Sequence, residues 1–164
     1  TELNETLNPE FAVIPNVVKG GFILSGSYGK GVLLVRQPDG AWSNVPGANV
    51  GATNATAGAV TLIRHLGLPV HERVGDWLLA QAHEQGGFVA VPGAPMPDLL
   101  STATALHALA SLDRRLTAAQ RERCLDFVDS LWSAEGGFHG HWADDHLDAE
   151  YTFYGLLALG HLSV

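Results

Sequence analysis

Gly86-Gly87-Phe88 recurs fifty residues later as Gly136-Gly137-Phe138, and Asp98 recurs as Asp148, each just ahead of an apolar stretch with helical spacing. A repeated unit constrains a fold more than any single motif does, because each unit carries an apolar face that only a neighbouring unit can bury. The echo runs well beyond the glycines. Asp76-Trp77-Leu78 faces Asp126-Phe127-Val128, and Thr102, Leu106, Ala108, Leu109 and Leu112 face Thr152, Leu156, Ala158, Leu159 and Leu162 at the same offset. One unit therefore reads helix, Gly-Gly-Phe turn, acidic loop, helix. A third copy of the second helix stands 46 residues upstream of its counterpart, where Thr56, Ala57, Ala59 and Val60 match Thr102, Ala103, Ala105 and Leu106.

Helical periodicity dominates residues 54–164. Ala59, Ile63 and Leu66 share a face, and Val74, Trp77, Leu78 and Gln81 make a second helix after Pro69. Leu106, Leu109, Ala110 and Leu112 make a third. Thr117 followed by Gln120 is a capping box that opens a fourth helix running to about Trp132, and a fifth begins near Asp148. Asp98 and Asp148 suit N-caps, and the paired glycines suit left-handed helix exits anchored by phenylalanine.

Residues 11–46 follow a different grammar, rich in glycine and β-branched side chains. Val13–Pro15, Phe22–Leu24 and Val32–Val35 read as strands, with Pro38-Asp39-Gly40 as a hairpin turn. The glycines from Gly20 to Gly31 do not form a phosphate loop: Leu24 and Gly31 occupy the positions that need glycine and Ser or Thr, and no helix follows. The small residues 47–53 mark a boundary, giving a β-hairpin segment over 1–52 and a helical segment over 53–164.

Charge excludes some functions. Residues 1–52 carry three basic and four acidic side chains, while residues 53–164 carry six basic and thirteen acidic, for a net charge of −8. Recognition of nucleic-acid phosphates needs a basic face, so no nucleic-acid partner is expected. No apolar run is long enough for a transmembrane helix, and Thr1–Glu10 lacks the basic start and apolar centre of a signal peptide. The single Cys124 excludes an internal disulfide and falls on an apolar helix face with Phe127, Val128 and Leu131. The cytoplasm is the expected compartment.

The densest chemistry lies in residues 139–150, where His139, His141 and His146 stand with Asp144, Asp145, Asp148 and Glu150. Imidazole and carboxylate suit zinc or magnesium, and His146, Asp148 and Glu150 are the candidate ligands. The same residues also fit a solvated acidic loop ahead of a helix, where the macrodipole favours negative charge.

With these residues in view, residues 54–164 resemble the α/α-toroid repeats of prenyltransferase β subunits and squalene/terpene cyclases. The resemblance rests on the two Gly-Gly-Phe turns, Pro97–Leu106 and Asp148–Leu159. It implies an isoprenoid or terpenoid ligand and, in an active enzyme, an electrophilic transfer with zinc or magnesium at the leaving diphosphate. Trp142, Tyr151, Phe153 and Tyr154 would then line a carbocation's path. The family's zinc-binding helix start is Asp-x-Cys-Tyr; here Asp148 and Tyr151 keep their places and Glu150 replaces the cysteine. Where that family supplies a histidine ligand, this chain has Ser101. The catalytic residues therefore stay unassigned, and a degenerate, prenyltransferase-like relative is the expectation. About five helices make only part of a twelve-helix toroid, which implies an oligomer or a partner subunit.

Residues 12–46 resemble the opening of the SYLF lipid-binding domain, through Ile14–Arg36 and Asp39–Ser43. That resemblance implies a lipid or phosphoinositide ligand contacted by Lys19, Lys30 and Arg36. Two family fragments in one chain raise a chimeric, designed or truncated origin. The expected class is α+β: a small N-terminal β-hairpin module followed by about five helices forming a partial α/α toroid.

Overall fold

A long antiparallel hairpin opens the chain. The computed structural model describes residues 11–20, 26–45 and 47–163, with side chains from Leu34 onward. Strands β1 (Phe11–Gly20) and β2 (Gly26–Arg36) pair from Phe11↔Val35 to Gly20↔Gly26, and β3 (Trp42–Ser43) adds to the far side of β2. The sheet order is β1-β2-β3, so Pro15, which has no N–H to donate, sits on an edge strand. The stretch from Gly26 to Gly31 is strand, because its backbone pairs in continuous register with Pro15–Gly20. The expected strand at Phe22–Leu24 lies outside the described residues.

Five helices follow, as the periodicity predicts: α1 (Thr53–His65), α2 (Glu72–Leu79), α3 (Leu99–Ser111), α4 (Ala118–Ser130) and α5 (Ala149–Leu162). Their ends are set by local chemistry. Asp98 and Asp148 each accept a backbone N–H three residues on, from Ser101 and Tyr151, at 2.7 Å. Thr117 and Gln120 form the reciprocal capping box. At the end of α3, Arg114 N–H donates to Leu109 and Asp113 N–H to Ala110, a Schellman closure that takes Asp113 to φ 54°. The fourth helix stops at Ser130, short of Trp132, because Trp132 leaves to pair with Phe138. That pairing forms the two-residue strands β4 (Trp132–Ser133) and β5 (Gly137–Phe138).

The repeat is visible in the backbone. Antiparallel pairs recur at Arg36↔Trp42, Ala82↔Phe88 and Trp132↔Phe138. Trp42 N–H donates to Thr56 Oγ1 at 3.0 Å, and Phe88 N–H donates to the matching Thr102 Oγ1 at 2.9 Å. Gly40-Ala41-Trp42 is thus a third copy of the Gly-Gly-Phe turn. Thr53 N–H donates to Ala90 and Leu99 N–H to Gly140, the same joint one unit apart. Each loop therefore crosses the start of the preceding repeated helix, and α1, α3 and α5 run parallel as an inner row. The outer helices α2 and α4 pack behind them, α2 on α1 and α3, α4 on α5.

The inner row packs tightly because α3 presents small side chains to both neighbours. Ala103, Ala105 and Ala108 are fully buried, which lets ridges interlock at short interaxial distance. Phe88 and Phe127 are sealed beneath, and truncating either to alanine would cost about 3–5 kcal/mol. Leu34 and Trp42 belong to this same core, so the base of the hairpin and the helices share one interior. The junction is stitched by Asp39, whose carboxylate accepts N–H groups of Ala41, Gly51 and the Trp77 indole. Among the described residues, no helix is long and apolar enough to cross a membrane.

Candidate functional site

The parallel inner row gives each helix a stripe that faces a common trough. The repeat register aligns Asn54, Gly58, Thr61 and His65 on α1 with Leu100, Thr104, His107 and Ser111 on α3. It aligns these in turn with Glu150, Tyr154, Leu157 and His161 on α5. A largely apolar, open cavity of about 390 Å³ lies among them, reached by Gly58, Thr61, His65, Thr104, His107 and Leu157. A trough of that size falls within the range of small-molecule sites. At its α3–α5 side His107 Nδ1 and His161 Nε2 stand 3.1 Å apart, one ring donating and the other accepting. Burial, reinforced by the neighbouring His107, holds the His161 pKa below its ordinary value.

The acidic loop occupies the N-terminal mouth of the trough, and its side chains are largely engaged locally. Asp144 accepts N–H bonds from Gly140 and His146, which hold its carboxyl below the usual range. Ala143 N–H donates to His141 Nδ1, and His139 Nδ1 contacts the His146 carbonyl at 3.2 Å. Asp148 Oδ1 caps α5, while Glu150 is exposed in its first turn. Across the mouth Asp98 caps α3, and burial raises its pKa against the lowering effect of its Ser101 hydrogen bonds.

His146, Asp148 and Glu150 are neighbours in sequence but are not gathered. Among the described residues no three His, Cys, Asp or Glu side chains form a metal-holding group. The donors also differ from the thiolate-containing set of the toroid transferases: Glu150 offers a hard carboxylate, and Ser101 is buried at the start of α3. The residues present do not fit that zinc site.

The aromatic candidates separate. Trp142 sits against α4, its indole donating to Ser130 Oγ at 2.9 Å and its ring edge-on to Phe127 at 5.4 Å, away from the trough. The Tyr151 ring fills the space left by the missing side chain of Gly140. Phe153 and Tyr154 meet edge-on at 5.3 Å, and of the four only Tyr154 holds a trough position in the repeat register. Phe153 and Leu156 are 59% and 61% exposed, whereas their counterparts Ala103 and Leu106 are 0% and 5% exposed. The α5 edge therefore exposes apolar positions whose equivalents on α3 are buried.

Of the lipid-contact candidates, Arg36 stacks 5.5 Å above the Trp42 ring and donates from Nε to the Gly40 carbonyl. The side chains of Lys19 and Lys30 lie outside the described residues. His107, His161 and the polar stripe of α1 escaped sequence reasoning, although extending the repeat register to the half-exposed helix positions would have found them.

No curated protein matches the chain. Residues 55–163 match the prenyltransferase alpha-alpha toroid domain, which spans all five helices but for the first two residues of α1. The inner row and the outer layer both lie within the matched residues, and the chain belongs to the prenyltransferase α/α-toroid family.

Proposed function

We propose that this chain binds the hydrocarbon portion of an isoprenoid or terpenoid in the trough between α1, α3 and α5, and that it does not carry out prenyl transfer as an isolated chain. The observation that carries this reading is the apolar 390 Å³ cavity, built from register-equivalent positions of three parallel helices. Binding there is driven by removal of apolar ligand surface from water, about 25 cal/mol per Å² before the costs of immobilisation. Glu150 in place of a thiolate removes the group that would hold a soft metal beside a substrate thiol, so the scaffold retains the ligand trough without the transfer apparatus.

Closing the trough needs a further inner helix beyond α5. A further helix, from more of this chain, a partner subunit or another copy, is proposed to lie on Phe153 and Leu156, where burial of two large apolar side chains would contribute roughly 1.5–3 kcal/mol each. Titration with a fluorescent prenyl alcohol tests the binding function. Saturable binding that a branched terpenoid competes for supports it, and equal displacement by any detergent monomer contradicts it.

A further inference from the structure

A second cavity lies at the other end of the inner helices from the acidic loop. A helix of α3's length rises about 20 Å, and the Arg114–Arg115 connection closes the end opposite Asp98. The cavity holds about 190 Å³. Its floor is apolar, made by Leu106, Leu109, Leu116 and Leu162, and its walls carry Arg114, Arg115 and Arg121 with Asp113 and His161. A third of the nine basic side chains of a chain with net charge −8 thus surround one small pocket.

The fold holds two of the three guanidinium groups, those of Arg114 and Arg121, while Arg115 is exposed at the rim. The Schellman closure at Leu109 turns the chain so that Arg114 and Arg115 follow directly over the end of α3. Gly75 leaves room for the Arg114 stem, since a Cβ there would stand 3.0 Å from Arg114 Cγ. Arg114 pairs with Asp76 at 3.0 Å, the one ion pair among the described residues. Arg121 uses Nε to cap the Leu162 carbonyl at 2.6 Å, which leaves its two terminal nitrogens directed elsewhere. Three guanidinium groups against the carboxylates of Asp113 and Asp76 leave the pocket net positive.

We propose that this pocket binds a small phosphate monoester bearing a short apolar group, with its oxyanion on Arg115 and Arg121 and its apolar group on the leucine floor. A planar guanidinium presents parallel N–H donors that match phosphate oxygens. The volume lies below the range that takes drug-sized molecules, so the ligand is small. The site does not depend on what fills the trough.

Calorimetric titration of the full chain with phenyl phosphate, inorganic phosphate, benzoate and phenol tests the proposal. Phenyl phosphate is expected to bind tightest, with inorganic phosphate and phenol each about tenfold weaker or more, because each lacks one half of the recognition. Arg115→Gln, which leaves the Leu162 cap intact, is expected to weaken phenyl phosphate about tenfold while the ligand-free melting temperature holds. Affinity on the unaltered chain should also fall as salt rises from about 0.01 to about 0.1 M and the screening length drops from about 30 to about 10 Å. Benzoate binding as tight as phenyl phosphate, equal affinity for phenyl phosphate and inorganic phosphate, no binding of phenyl phosphate, or salt-independent binding would each overturn the proposal.

Discussion

The two Gly-Gly-Phe turns read alike, but alanine in them should have unlike effects. Gly86 and Gly87 have φ of 98° and 71°, and Gly136 has φ of 92°. A Cβ on Gly87 would stand 2.6 Å from the Phe127 ring and 2.9 Å from Thr102 Oγ1, and one on Gly86 would collide with the Arg123 carbonyl. A Cβ on Gly136 meets nothing within 4 Å. The difference arises because α4 lies over the first turn, whereas among the described residues nothing lies over Gly136. Left-handed backbone costs a non-glycine residue about 1–2 kcal/mol, and overpacking adds about 1–3 kcal/mol. Gly87→Ala should therefore cost about 2–5 kcal/mol and Gly136→Ala about 1–2 kcal/mol. For a chain of this size each kcal/mol moves the melting temperature by about 2–4 °C. Thermal melts followed by circular dichroism should place Gly87→Ala about 10 °C below the parent and Gly136→Ala about 4 °C below it. Gly86→Ala should be the most damaging, since a backbone carbonyl yields less than a side chain. Equal losses at Gly87 and Gly136 would refute the argument that α4 covers only the first turn.

Three further outcomes follow from the capping groups and the histidine pair. Burial raises the Asp98 pKa, so its ionised form weakens the fold, and the contribution present below the unfolded value near 3.9 is lost as pH rises through the folded value. Asp98→Asn, which keeps the acceptor for Ser101 N–H, should equal or exceed the parent in urea melts at pH 7, while Asp98→Ala should lose about 1 kcal/mol. His161 titrates below its ordinary value, so its contribution is complete above about pH 6.5 and is lost as pH falls through the folded value. Urea midpoints measured at pH 8 and pH 5 should fall further for the parent than for His161→Gln, and parallel profiles would contradict the role given to the pair. Asp148 acts as a cap on this account, so Asp148→Ala should cost about 1 kcal/mol and leave metal content unchanged. Elemental analysis showing a full equivalent of zinc in the parent, lost in Asp148→Ala, would instead establish the metal site that the sequence suggested.

The helices and their caps were legible because their signals are local. Asp98, Asp148 and the Thr117–Gln120 box act within three residues of themselves, and the structure uses each as the sequence suggests. The third turn was not legible. Ala41 and Trp42 replace the glycine and phenylalanine of the other copies, and only the shared pairing and the threonine hydrogen bond reveal the equivalence. The His107–His161 contact joins residues 54 apart and depends on how α3 and α5 pack, which no local pattern encodes. Trp142 was singled out by its aromatic character, and its bond to Ser130 on α4 again depends on tertiary packing rather than local pattern. Within 139–150 the side chains of His139, His141 and Asp144 are engaged by hydrogen bonds inside the loop, and Asp148 is engaged as a helix cap.

The central claim is that the trough between α1, α3 and α5 holds an isoprenoid chain, and blocking it tests that claim most directly. Thr61 and Thr104 reach the cavity from α1 and α3 without belonging to the sealed core. Thr61→Trp and Thr104→Trp fill it with large rings while leaving the core helix contacts in place. Affinity for a fluorescent prenyl alcohol should fall about tenfold or more in each variant, the equivalent of about 1.4 kcal/mol, with the melting temperature little changed. Undiminished binding in both folded variants would place the ligand elsewhere and contradict the account.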